Sequence, residues 1–377
     1  MTDTHNSAAE ALTAKLSPLA GMVMLVFFVA GLASVIWSVV SGKVAVQPTE
    51  TLTNEQLFNG AYTHRIADEL ANVPFAKQAA NLERAASWLA IGDTGTRVRP
   101  GCDGWLFLAD ENRIHHQAEA NAAAKAQKVT AVRDWLAKRN IKLLVAVVPD
   151  KSRIASEQLC GLARSPQLAE RVNEWQALLA AQNIPVLNLA QAMAPLGSAS
   201  FLRTDTHWSE QGAEAAASAI AAGIRAQGIS ATPAQQLKRD VGEAQLWHGD
   251  LVRLAGLDWL PVALRPAGEQ LAASTFTVQE QASDELSLDD LFGDSQLPNI
   301  ALIGTSFPRN SNFVRLLEQA LGASIGNFAK DGGEFSGAAK AYFSGKEFSH
   351  SPPQLVIWEI PERDLQSPYV DDILLAE

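Results

Sequence analysis

The sequence predicts an α/β fold: a mainly parallel sheet covered by helices on both faces, preceded by one N-terminal transmembrane helix. Three observations carry that prediction. Short apolar runs alternate with Ala-rich helical stretches over much of the chain, which is how parallel strands with helical crossovers read. Leu19 to Val40 contains no charged residue, and as a helix it would reach about 33 Å, enough for a bilayer core. The 377 residues are 47% hydrophobic and 19% charged, so the chain can bury sizeable cores and is not a disordered or low-complexity protein.

The elements follow in order. Residues 1–17 form a short cytoplasmic leader and 18–41 a transmembrane anchor. A signal-peptide apolar region spans about 7–15 residues, so this longer run reads better as an uncleaved anchor than as a leader to be removed. Trp37 sits towards one end, where interfacial aromatics gather. Lys15 against Asp3 and Glu10 gives only a weak positive-inside signal. One span behind a short leader is nevertheless the pattern of an anchor that exports the chain beyond it. Residues 42–98 read as a polar linker, Gly42 to Asn54, followed by helical patches such as Gln78 to Ala90.

Residues 99–377 make the main domain. Gly101 to Leu108 is a turn into a short aromatic strand, and Ala120 to Asn140 a helix. Lys142 to Val148 is a buried strand stopped by Pro149. Ser165 to Gln182 reads as one helix with Pro166 in its first turn, and Ile184 to Leu189 as a strand. Ser209 caps an Ala-rich helix running to Gln227. Residues 228–298 read as an irregular, more polar insertion. Then come a strand (Asn299 to Gly304), a helix (Asn310 to Leu321) and two strands (Ser324 to Phe328 and Gln354 to Ile360).

Charge and cysteine content narrow the function. A net charge of −11 argues against nucleic acid and anionic membrane surfaces as general partners. Two cysteines offer no four-cysteine zinc site, and the seven histidines are scattered, with His115-His116 lacking helical ligand spacing, so no metal site is expected. Beyond the anchor, Cys102 and Cys160 either pair in an oxidising compartment or are two unrelated buried thiols. Pairing would stabilise the fold by about 4 kcal/mol on the chain-entropy model.

In open parallel sheets, chemistry collects beyond the carboxyl ends of the strands. Gly304-Thr305-Ser306 ends one apolar strand, so Ser306 is either a nucleophile near helix amides or an ordinary helix cap. A serine nucleophile needs a base, and that base needs a carboxylate to orient it. Asp205 and His207, two residues apart before the Ala-rich helix, either supply both or merely cap the helix and pack on Trp208. Arg363, after the strand stopped by Pro361, either serves a substrate or makes a structural salt bridge.

Read together, five short blocks resemble the SGNH-hydrolase-like domain of the AlgJ/AlgX-type alginate O-acetyltransferases, in its circularly permuted order. They are Asp103-Gly104-Trp105-Leu106-Phe107, Val148-Pro149-Asp150-Lys151-Ser152-Arg153, Asp205 to Trp208, Gly304 to Phe307 and Trp358 to Arg363. The resemblance implies an SGNH-like catalytic domain over 99–377, held in the periplasm by a single-pass inner-membrane anchor. It implies an O-acetyltransferase of exopolysaccharide hydroxyls, in alginate or a related polymer, with catalytic Ser306, His207 and Asp205 and an acetyl-serine intermediate. Thr305, Gly332, Gly333, Arg309, Arg363 and Trp208 become substrate or oxyanion candidates, while Pro308 removes one backbone donor. No cofactor is implied. The partners would be the polysaccharide, a membrane-bound acyltransferase supplying acetyl groups, and other exopolysaccharide biosynthesis subunits. A carbohydrate acetylesterase with the same triad and a non-catalytic polymer-binding subunit are the alternatives. Trp208, Trp247 and Trp259 either form a sugar-stacking cleft or pack in the core, with core packing expected for at least two. Lys151, Arg153, Arg203, Arg309 and Arg363 are candidates for a basic groove that an anionic polymer would need; a neutral polymer fits the acidic balance equally well.

Overall fold

The computed structural model describes residues 17–45, 53, 58–279 and 297–375. The leader up to Leu16 and most of the linker lie outside the described residues. The chain divides into two compact units, Met1–Ala86 and Ser87–Glu377. In the first, Pro18–Val40 is helical, with Pro18 in its first turn and the Ser17 hydroxyl accepting from the Ala20 amide. Its mean hydropathy is 2.5 over the most apolar stretch. By length and composition it can cross a bilayer, as an anchor or as a signal sequence. Helices Ala61–Ala71 and Pro74–Ile91 follow, the second running into the next unit.

Eleven strands occur among the described residues, all in the second unit: β1 (Val98–Pro100), β2 (Leu106–Leu108), β3 (Lys142–Val148), β4 (Val186–Asn188), β5 (Gln236–Val241), β6 (Gln245–Trp247), β7 (Glu269–Leu271), β8 (Ser274–Gln279), β9 (Ile300–Ile303), β10 (Gly326–Asn327) and β11 (Leu355–Pro361). Five make one sheet in the order β10-β9-β11-β3-β4, every pairing parallel. The last strand is therefore the central one. From it the chain order runs outward in opposite directions, β3 to β4 on one side and β9 to β10 on the other. That reversal opens a crevice beyond the carboxyl ends of β3, β11 and β9.

Period-two alternation divides the core into two layers. Val145, Val147, Ile303, Val356, Trp358 and Ile360 face the layer that includes helices Ala118–Ala137, Arg171–Ala180 and Gly337–Phe343. Leu144, Ala146, Val148, Leu302, Leu355 and Ile357 face helices Glu210–Ala226 and Phe313–Leu321. Ser209 caps the first of these, its Oγ 3.1 Å from the Gly212 amide. β1 and β2 form a small antiparallel ribbon. Close to it, Cys102 and Cys160 form a disulfide, with Cα atoms 5.3 Å apart.

Three expected elements differ. Ser165 to Gln182 is not one helix: a 3-10 turn, Pro166–Leu168, precedes Arg171–Ala180. The break accompanies the inward turn of Arg171, a buried cation bonded to Asp150 and Glu362. The helix expected from Asn310 begins at Phe313, because Ser311 and Asn312 take left-handed backbone angles. The insertion at 228–298 carries regular structure: β5 pairs with β8 and β6 with β7, both antiparallel. Residues 280–296 of it lie outside the described residues.

Glu359 breaks the apolar pattern of β11. It reaches across to the turn after β9, where its Oε2 accepts from the Thr305 amide at 2.6 Å and the Thr305 hydroxyl at 2.9 Å. Gly304 permits this, since a Cβ there would lie 2.4 Å from Glu359 Oε2. Burial pushes the Glu359 carboxyl up to about 7, against the pull of both Thr305 bonds. A carboxyl raised in the fold keeps its proton there, so it lowers stability as pH climbs from its unfolded value towards 7. Glu359→Gln should remove that decline: its urea midpoint should gain on wild type between about pH 4.5 and 7 and not below. Ile357→Ala, which empties a fully buried site on the central strand, should cost about 2–5 kcal/mol in the same measurement.

Candidate active site

The turn after β9 presents Ser306. Thr305, beneath it, is fixed to Glu359, and the Ser306 carbonyl accepts from the Asn310 side-chain amide at 2.8 Å. The next residues form only a 3-10 turn, Phe307–Arg309, so the helix end expected beside Ser306 is displaced to Phe313. A second loop, between Phe201 and Ser209, closes over it. Phe201 and Trp208 bridge as an antiparallel pair, and the Leu202 amide donates to the His207 carbonyl at 3.2 Å. That pinch throws Asp205 and His207 to one side.

The three side chains meet in sequence. His207 Nε2 lies 2.7 Å from Ser306 Oγ, and His207 Nδ1 lies 2.6 Å from Asp205 Oδ1. The same Asp205 oxygen accepts from the His207 amide at 3.0 Å, and Oδ2 accepts from the Asp250 amide at 3.0 Å. Burial opposes ionisation of Asp205, but the His207 hydrogen bond and charge, with the two amides, hold its carboxyl down to about 2. Asp205 is thus an anion at neutral pH. Nδ1 must donate to it, which leaves the Nε2 lone pair for the Ser306 hydroxyl.

Other groups set this arrangement. Lys151, fully buried, donates from Nζ to the carbonyls of Leu106 (2.6 Å), Arg203 (2.9 Å) and Asp205 (3.0 Å). Burial lowers its pKa to about 8. Asp250 accepts from the Thr206 amide and hydroxyl at 2.7 and 3.0 Å. Burial and then the Asp205 charge push the Asp250 carboxyl upward. Gly249 allows the approach, because a Cβ there would sit 2.3 Å from the Thr204 carbonyl oxygen. Asp205, His207 and Asp250 offer ligand atoms within 4.8 Å of one another. Both His207 nitrogens are already engaged, however, so the site suits proton transfer better than a metal ion.

Two cavities meet at Ser306. One, of about 550 Å³, is lined by Asp205, His207, Trp247, Asp250, Ser306 and Gly332 among others. The other, of about 360 Å³, includes Thr305, Ser306, Gly332 and Arg363 but not His207. Gly332 takes a left-handed φ of 65° and borders both. Arg363 is half-buried, its guanidinium 5.5 Å from the centre of the Phe307 ring.

Several expected roles do not survive this geometry. Trp208 is 0% exposed, stacked on Phe313 and edge-on to Phe307, so it is core and no sugar platform. Trp247 and Trp259 are 45% and 43% exposed, so one tryptophan of the three is core rather than two. The Thr305 amide is consumed by Glu359 and the Gly333 amide by the Lys330 carbonyl, so neither is a free oxyanion donor. Arg309 pairs with Asp331 at 3.1 Å; it borders neither cavity at Ser306 but lines a further one that also touches Trp247 and Asn310. Three of the five basic-groove candidates are engaged elsewhere: Lys151 points into carbonyls, Arg153 pairs with Glu362, and Arg203 bonds the carbonyls of Ala267 and Gly268. Asp250, Asn310 and the anchoring task of Glu359 are new. For Asp250 the only cue was a glycine before an acid at a helix start.

A family model for the SGNH hydrolase-like domain of the acetyltransferase AlgX matches residues 98–362. The chain is 33% identical over 339 residues to a probable alginate O-acetylase AlgJ of Pseudomonas putida, covering 87% of this chain and 85% of that one. It is 35% identical over 326 residues to the probable alginate O-acetylase AlgJ of Pseudomonas aeruginosa, covering 82% and 81%. The solved O-acetyltransferase domain of Pseudomonas putida AlgJ superposes with a TM-score of 0.62 at 29% identity, covering 73% of this chain and 94% of that one. These likenesses place the chain in the AlgX family of SGNH hydrolase-like acetyltransferase domains.

Proposed function

We propose that this protein O-acetylates an exopolysaccharide, alginate or a related polymer, through an acetyl-serine at Ser306. The observation that carries the reading is the continuous chain of contacts from Ser306 Oγ through His207 to Asp205. Ser306 Oγ attacks the acetyl carbonyl carbon while His207 Nε2 takes the hydroxyl proton. The Asp205 anion stabilises the imidazolium and holds the ring in place. The tetrahedral intermediate collapses, the donor's leaving group departs with the proton from Nε2, and acetyl-Ser306 remains. A sugar hydroxyl then gives its proton to Nε2 and attacks the ester. Collapse returns the proton to Ser306 Oγ and releases the acetylated sugar.

Each intermediate needs donors for its oxyanion. The amides of Ser306 and Gly332 fill that role in this reading, because both residues line the two cavities that meet at the nucleophile. The apolar Pro18–Val40 helix supports an inner-membrane anchor with the catalytic unit in the periplasm. A membrane-bound acyltransferase would then bring acetyl groups to it, and other exopolysaccharide biosynthesis subunits would present the polymer.

Incubating the full chain in detergent with 4-nitrophenyl acetate should add one acetyl group to Ser306, seen by peptide mass spectrometry, and Ser306→Ala should abolish it. Asp205→Asn should lower the acylation rate by about 10³–10⁴-fold through loss of the correct imidazole tautomer. Acetate release with no transfer to any added oligosaccharide would replace this reading with an esterase. In spheroplasts, added protease should digest a C-terminal tag while the N-terminal leader stays protected; the reverse pattern would overturn the periplasmic placement.

A further inference from the structure

The proposed reaction, on which this inference rests, makes one demand on geometry. The donor's leaving group and the incoming sugar hydroxyl both exchange a proton with His207 Nε2. Both must therefore approach from the cavity that contains His207, not from the one that touches Ser306 alone. That first cavity does not end at the catalytic side chains. Past Asp205, Trp247 and Asn310 it adjoins a further cavity of about 570 Å³, whose walls include Leu246, Leu271 and Ala273. Trp247 lines both and stands at their junction.

We infer that this joined cleft is the acceptor subsite and that Trp247 is its stacking platform for a pyranose ring. The indole is 45% exposed and its N–H has no partner among the described residues, unlike that of Trp259, which donates to the Gly256 carbonyl. An indole face matches the C–H face of a sugar, and its free N–H can meet a ring hydroxyl. The platform is also fixed relative to the nucleophile. Trp247 closes β6, opposite Glu269 of β7. Glu269 accepts from the amides of Arg203 and Thr204 at 3.0 and 3.1 Å. On the other side of Trp247, the Gly249 amide donates to Thr204 Oγ1 at 2.9 Å and the Asp250 amide to Asp205. Gly268 packs against the Trp247 carbonyl, where a Cβ would lie 2.7 Å from the oxygen. The β6–β7 ribbon is thus bolted on both flanks to the loop that carries Asp205 and His207. A sugar stacked on Trp247 is held at a set distance from Nε2, and it covers the acetyl-serine against water.

The test measures transfer and hydrolysis together, using the full chain, 4-nitrophenyl acetate as donor, and cellohexaose or hexa-mannuronate as acceptor. Trp247→Ala should raise the acceptor concentration for half-maximal transfer, and lower the transfer-to-hydrolysis ratio, by about tenfold. Trp247→Phe should restore most of both. An equal fall in transfer and hydrolysis, or an unmoved ratio, would overturn the inference. If Ser306 never becomes acetylated, the catalytic reading fails by itself. The cleft is then judged by calorimetric binding of the same hexasaccharides to the wild-type chain: loss on Trp247→Ala supports it, and unchanged binding overturns it.

Discussion

A buried carboxylate must be surrounded by donors or give up its charge, and the Asp205 anion is where this fold meets that requirement. Its two oxygens accept from the His207 ring, the His207 amide and the Asp250 amide. Its own carbonyl accepts from Lys151. Those partners come from separate parts of the chain: its own loop, the ribbon insertion, and the residues after β3. Satisfying the carboxylate and the carbonyl of this one residue therefore draws three elements to one point. The orientation of His207 towards Ser306 is a consequence of that convergence, because the imidazole can serve Asp205 with Nδ1 only in this pose.

A second group of buried charges supports the crevice from the side. Asp150, after β3, and Glu362, after β11, share Arg164 and Arg171, and Arg153 adds a two-point contact to Glu362 at 2.6 and 2.8 Å. Burial and the neighbouring Glu362 push Asp150 up to about 7, while Glu362, despite its burial, is held below its usual value by the three guanidinium groups. This sharing ties the ends of the two strands together just below the place where Lys151 and Arg363 emerge. Breaking one partner would leave buried charge uncompensated, which is far more costly than any surface pair.

What the sequence revealed follows from how local each signal is. Asp205 and His207 are two residues apart, and Ser306 follows an apolar strand, so all three stood out as candidates from local sequence, each with a capping or packing alternative that only their meeting in space decides between. The parallel sheet was legible because β3 and β9, and β11 apart from Glu359, are nearly continuous apolar runs, as strands buried on both faces must be. The ribbons of the insertion were not: Gln236–Val241 has one buried residue, Leu237, and carries no apolar run to read. Side-chain direction was also hidden. Trp208 is next to His207 but turns the other way into the core, and Lys151 looks like a surface cation until its three carbonyl partners are seen. The Thr305 amide could be judged available only while Glu359, more than fifty residues later, was out of view.

The position of β11 bears on how such a chain becomes active at all. It is synthesised after every other strand described, yet it lies between β9 and β3, carries Glu359 and is followed at once by Glu362. Until it arrives, the β3–β4 and β9–β10 halves share no strand edge, and the turn bearing Ser306 has no carboxyl to hold it. Such long-range pairing is slow to form. A chain still lacking β11 would therefore leave the turn that bears Ser306 unanchored. A product truncated before it would lack both the sheet's central strand and the carboxyl that fixes Thr305 beneath Ser306.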